Sequence, residues 1–150
     1  MQLKLIAAGT RMPAWVEQGY QEYARRLRSD WRLELVEIPL GKRTRGSSDD
    51  RAKDDEGRRM LRRVATGDRV VAMEVTGRPL DTKGLAHCLE DWRQDGRNVS
   101  MLIGGPDGLS AACLQKADFK LSLSALTLPH GMVRVLLAEQ IYRAWSLLHN

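Results

Sequence analysis

Residues 121–150 read LSLSALTLPHGMVRVLLAEQIYRAWSLLHN, and this stretch sets the terms for the rest of the chain. Ser122, Ser124 and Thr127 alternate with leucines ahead of Pro129 and His130, so the segment begins as a strand end and loop. Beyond His130, Val133, Leu137, Ile141, Ala144, Trp145 and Leu148 recur at helical spacing along one face. Met132, Val135, Leu136 and Tyr142 add apolar surface on other sides. One face suffices to pack a helix on a parent sheet. The excess marks either a well-buried C-terminal core helix or a face for a partner, most economically a second copy of the chain.

Working back toward the N-terminus, strand and helix alternate. Gln2–Ala8 has a strand pattern that stops at Gly9-Thr10, and 12–28 has a helical one with Trp15, Tyr20, Tyr23 and Leu27 as packing residues. Arg32–Ile38 is a second strand closed by Pro39. A charged helix is expected over 49–64, its acids ahead of its arginines as the helix dipole favours, with most of the charges on a solvated face. The spacing then predicts strands over 69–75, 98–103 and 119–123. Between them it predicts a helix over 81–94, capped by Asp81, and a short one opened by Ser110. Strands separated by helices require right-handed crossovers, and so an α/β fold: a mainly parallel sheet with helices on both faces.

The bounds agree with a single domain spanning 1–150. An apolar content of 43% argues against disorder, and a formal charge of +5, from 24 basic and 19 acidic residues, permits an anionic partner. Cys88 and Cys113 lie in unrelated segments without metal-ligand spacing, so neither a disulfide framework nor a metal site is expected. The N-terminus has no signal-peptide layout, and no segment approaches the roughly 18 apolar residues of a membrane span. A cytoplasmic location is the expectation.

Chemistry concentrates where the strands end. Ile103-Gly104-Gly105-Pro106-Asp107-Gly108 follows an apolar strand, and its glycines allow a sharp turn and a close approach to a ligand. It lacks the G-x-G-x-x-G dinucleotide pattern, and no P-loop lysine motif occurs. In a parallel sheet the ends near Met73, Gly104 and Leu123–Leu128 share one edge, where open α/β sheets bind ligands. Met73, Leu123, Ala125, Leu126 and Leu128 can wall an adenine-like ring, and backbone around Gly104, Gly105 and Ser124–Thr127 can supply polar contacts. His130 is the histidine nearest this edge. It reads as a general base, a substrate donor or a helix-start residue, with Arg134 one turn on. Glu139 and Arg143 are spaced as a surface pair. Lys42, Arg43 and Arg45 make a basic loop that is either solvated or in contact with phosphate. So few reactive side chains fit a reaction whose cofactor carries the transferred group.

The series Gly9-Thr10, Ile38-Pro39, Leu102-Ile103-Gly104-Gly105, Leu121-Ser122 and Leu126-Thr127-Leu128-Pro129-His130 runs in the order found in the RlmH family. So does Arg134, Glu139-Gln140 and Tyr142-Arg143-Ala144. The chain resembles that family, bacterial large-subunit rRNA methyltransferases of the SPOUT superfamily, along essentially its whole length. The resemblance implies a C-terminal trefoil knot over about 101–150, an exception to the unknotted rule. It implies S-adenosylmethionine bound in the knot against Met73, Gly104, Gly105, Leu123, Ser124, Ala125, Leu126, Thr127 and Leu128. It further implies a homodimer that acts on large-subunit rRNA of the assembled ribosome, with methyl transfer to N3 of a pseudouridine and no metal. His130 and Arg134 become the catalytic candidates, and Lys42, Arg43, Arg45 and Arg143 the RNA contacts. The family pattern continues past the terminal asparagine with a short tail bearing Pro, Tyr, His and a basic residue, expected near the target base. This sequence stops at Asn150, and cofactor binding and dimerisation are expected not to need the tail. The alternatives are a non-catalytic ribosome-binding module and, against the missing fingerprint, a nucleotide-dependent oxidoreductase.

Overall fold

The computed structural model describes residues 1–28, 30–44 and 49–149. The element order is β1 (Gln2–Ala8), α1 (Ala14–Ala24), β2 (Arg32–Ile38), α2 (Asp49–Arg62), β3 (Arg69–Pro79), α3 (Thr82–Asp95), β4 (Val99–Ile103), α4 (Ala111–Lys116), β5 (Phe119–Ser122) and α5 (His130–His149). Among the described residues the strands form one sheet in the order β2-β1-β4-β3-β5, with every pairing parallel. The expected α/β class is the one observed.

Strand alternation divides the core in two. Leu3, Leu5 and Ala7 of β1, with Met101 and Ile103 of β4, face a layer containing Tyr20 of α1, Leu85 and Leu89 of α3, and Leu137 and Ile141 of α5. Ile6, Ala8, Val36, Ile38 and Leu102 face the opposite layer, with Met60 of α2 and Cys113 of α4. The central strand β4 is buried on both faces throughout, as a parallel sheet between helix layers requires.

Helix ends follow local chemistry. Asp81 caps α3 by accepting from the Gly84 amide at 2.7 Å, and Gly96 closes it at φ 86°. Ser110 caps α4 through the Cys113 amide at 3.2 Å. Helix α1 is shorter than its apolar pattern, starting after Pro13 and ending at Ala24. Strand β3 runs four residues past Val75, because Arg78 and Pro79 pair with β5 again after a register shift between Met73 and Arg78.

Candidate active site

The middle of β3 at Met73–Val75, the C-terminal ends of β4 and β5 and the start of α5 enclose a cavity of about 430 Å³. This is the sheet edge at which parallel α/β folds place ligands. Of the residues singled out from sequence, Met73, Gly104, Gly105, Leu123, Ser124, Leu126, Thr127, Leu128 and His130 line it. Ala125 is exposed and lies outside the lining. Lys53 of α2, Glu74 and Asp107 also line it, and the sequence reading did not anticipate them.

The glycines of the turn are needed for different reasons: Gly104 has no room for a side chain, whereas Gly108 has open space but a left-handed backbone. A Cβ on Gly104 would lie 2.4 Å from the carbonyl carbon of Gly108, so the turn closes on itself backbone to backbone. Gly108 adopts φ 83°, and its amide donates to the Gly105 carbonyl at 3.1 Å. The lip formed by Leu123–Leu128 is held locally. The Ser122 hydroxyl donates to the Ser124 carbonyl at 3.1 Å, and the Leu126 amide donates to the Ser124 hydroxyl at 2.9 Å. Leu126 nevertheless leaves 73% of its surface open, a large apolar side chain beside the cavity mouth.

His130 begins α5 against the Gly9 turn. A Cβ on Gly9 would sit 3.3 Å from His130 Nε2 and 3.3 Å from an Arg134 nitrogen, so glycine at φ 114° lets both approach the backbone. Arg11, two residues on, is a non-glycine residue at φ 56°, which places local strain in the same turn. Burial pushes the His130 imidazole below the ordinary histidine range, and the Arg134 cation adds to that shift; Glu56 opposes it and Arg43 reinforces it.

Arg134 lies behind the cavity rather than on its lining. It is fully buried, donating to Glu37 Oε2 at 2.6 Å, the Ala8 carbonyl at 3.1 Å and the Gly9 carbonyl at 2.7 Å. The guanidinium thereby ties α5 to the ends of β1 and β2. Arg143 is exposed and engages Glu139, with Nε at 2.9 Å from Oε1, the spacing of a helix surface pair.

The basic loop separates into unlike parts. Lys42 is exposed, whereas Arg45 lies outside the described residues. Arg43 is drawn inward, with Nη1 donating to Glu56 Oε2 at 2.7 Å and Nε to Asp107 Oδ2 at 2.8 Å. Glu56, placed by its sequence in a charged helix face, is only 1% exposed. Its position completes the stripe Ala52, Glu56, Met60, one residue per helical turn on the buried side of α2. Among the described residues no cluster of His, Cys, Asp and Glu could hold a metal ion, and no helix is long and apolar enough to cross a membrane.

Comparison with known proteins bears on this geometry. The chain is 54% identical over 150 residues to a protein named Ribosomal RNA large subunit methyltransferase H from Saccharophagus degradans, covering 100% of this chain and 97% of that one. It is 56% identical over 151 residues to a protein of the same name from Alkalilimnicola ehrlichii, 96% of which is covered. Among solved structures, a probable methylase family protein from Haemophilus influenzae Rd KW20 superposes with TM-score 0.59 at 13% identity, covering 99% of this chain and 68% of that one, a likeness of fold. A family model described as "Predicted SPOUT methyltransferase" matches residues 1–150, and with relatives more than half identical along the whole chain, the protein belongs to the SPOUT methyltransferase family.

Proposed function

We propose that the protein is an S-adenosylmethionine-dependent methyltransferase of large-subunit rRNA, with the cofactor in the cavity between the Gly104–Gly108 turn and Leu123–Leu128. The observation that carries this reading is the backbone cradle at Gly104. Gly104 packs against the Gly108 backbone too closely for a Cβ, the turn it belongs to lines the cavity, and the aliphatic walls from Met73, Leu123, Leu126 and Leu128 suit an adenine ring. The relatives' name supplies the substrate class.

Bound S-adenosylmethionine supplies an electrophilic methyl group on a sulfonium, so the chain must position a nucleophile and accept its proton. We assign the acceptor to Nε2 of His130, whose burial favours the neutral imidazole, the form that has a free lone pair for a proton. The acidic N–H of the target is then the pseudouridine N3 imide. Arg134 acts through its neighbours: by clamping the Ala8 and Gly9 carbonyls it fixes the turn against which the imidazole rests. Lys42 and Arg143 are exposed cations suited to phosphate contact, and Arg45 completes the basic loop in sequence.

The whole chain is one domain in this reading, with its knot over about 101–150. In support, the chain leaves β5 at one edge of the sheet, yet α5 returns across the sheet to pack against both α1 and α3. The chain acts as a homodimer, supported by Leu136 and Leu147 of α5 and Trp15 of α1, which are large apolar side chains left at 37%, 48% and 54% exposure. Its setting is the cytoplasm, where the ribosomal substrate resides. Methylation of ribosomes lacking the modification, with labelled cofactor and mapping of the product nucleotide, tests the reading. Label in large-subunit rRNA is expected; binding of the ribosome without cofactor uptake would favour the non-catalytic binding module.

A further inference from the structure

The cavity wall contains a charged network that the catalytic reading does not use. Glu56 projects from the buried stripe of α2, and its Oε2 accepts from the Gly41 amide at 2.9 Å and from Arg43 Nη1 at 2.7 Å. A carboxylate so enclosed is costly unless it is paired, which holds the Arg43 guanidinium in place. The same guanidinium reaches Asp107 Oδ2 through Nε at 2.8 Å and the Gly41 carbonyl through Nη1 at 3.2 Å. Asp107 belongs to the glycine turn and lines the cavity. A Cβ on Gly105 would stand 3.3 Å from Glu56 Oε1, so the buried carboxylate lies directly behind that turn.

We infer that Arg43 is a positioning residue for the cofactor site: anchored on Glu56, it fixes the Gly104–Gly108 turn through Asp107. The inference rests on reading the cavity as the cofactor site. It also separates Arg43 from the phosphate contact expected of a basic loop. One guanidinium here sits between two carboxylates, so its charge is already engaged and has little to offer a phosphate. The tie ends on a residue that faces the ligand space, and it leaves Arg43 Nη2 and Glu56 Oε1 buried with no hydrogen-bond partner among the described residues.

The test uses the full chain with S-adenosylhomocysteine in calorimetry and undermethylated ribosomes in steady-state kinetics. Asp107→Asn leaves the Arg43–Glu56 pair in place, so it reports on the turn without endangering the fold. Arg43→Ala and Arg43→Lys test the anchor itself. Both the Kd for S-adenosylhomocysteine and the KM for cofactor are expected to rise severalfold in Asp107→Asn, whose amide oxygen still accepts but without charge assistance, and about tenfold in Arg43→Ala, which loses the bond. Arg43→Lys, which keeps the charge but cannot bridge both carboxylates, should recover only part of the loss. The KM for ribosomes and its salt dependence should stay at the parent values. Unchanged cofactor affinity in Asp107→Asn, with the parent binding normally, would overturn the positioning role. So would an Arg43→Ala variant whose only change is weaker ribosome binding with a salt slope reduced by about one, the signature of a lost phosphate contact. A parent protein that binds no S-adenosylhomocysteine would overturn the cavity assignment, and this inference with it.

Discussion

At the scale of single residues, the His130 imidazole and the Arg134 guanidinium share the Gly9 turn but differ in what they do there. Burial holds His130 below its ordinary range, with Arg134 assisting. A base of lowered pKa loses activity only as pH falls through that lowered value, so kcat/KM should rise with pH below about 6.5 and be flat above it. An acid limb centred above the ordinary histidine value would contradict the assignment. The sign for stability is the same: below about 6.5 the unfolded chain takes up the proton more readily, so His130's contribution is present above that pH and lost as pH falls through the folded value. His130→Ala should lower methyl transfer by about 10²–10⁴-fold while S-adenosylhomocysteine still binds. Transfer at the parent rate would remove the base role. Arg134→Met should instead act on the fold. It strips donors from Glu37 and two backbone carbonyls, and because Glu37 keeps about a third of its surface in water, the loss should be about 2–3 kcal/mol in urea unfolding. An unchanged midpoint would show that the clamp is not structural.

At the scale of elements, the Gly104–Gly108 turn is constrained at its first residue. Gly104→Ala would drive a methyl into the Gly108 backbone, which no rotamer can relieve. It should therefore weaken S-adenosylhomocysteine binding by at least about tenfold, with the circular dichroism of the sheet retained. Unchanged affinity would mean that the turn does not hold the cofactor. Most of the strands and the Asp81 and Ser110 caps were legible in the sequence, because alternation and capping are local signals. Glu56 was not. Its burial depends on Gly41 and Arg43, thirteen or more residues away, and a carboxylate in a run of charges looks the same from sequence whether solvated or enclosed. The extension of β3 through Pro79 was hidden for a related reason. It depends on pairing with β5, where the Gly77 position stands close against the Lys120 backbone. The cavity-lining role of Lys53 likewise follows from where α2 packs, not from any local pattern.

At the scale of the whole molecule, the parallel sheet brings segments distant in sequence to one edge, the edge at which we propose that the cofactor binds. Periodicity alone could give the layers but not the substrate, because many activities share an α/β frame. The apolar surface left on α1 and α5 predicts a particle of twice the chain mass by light scattering, and Leu136→Glu should shift it toward the single chain. A parent protein that is monomeric at micromolar concentration would refute the dimer. The most direct test of the central claim is calorimetric titration of the folded protein with S-adenosylhomocysteine. Saturable binding, one ligand per chain and weakened in Gly104→Ala, is the result expected of a cofactor site at the Gly104–Gly108 turn and Leu123–Leu128. A folded protein that takes up no ligand would contradict it.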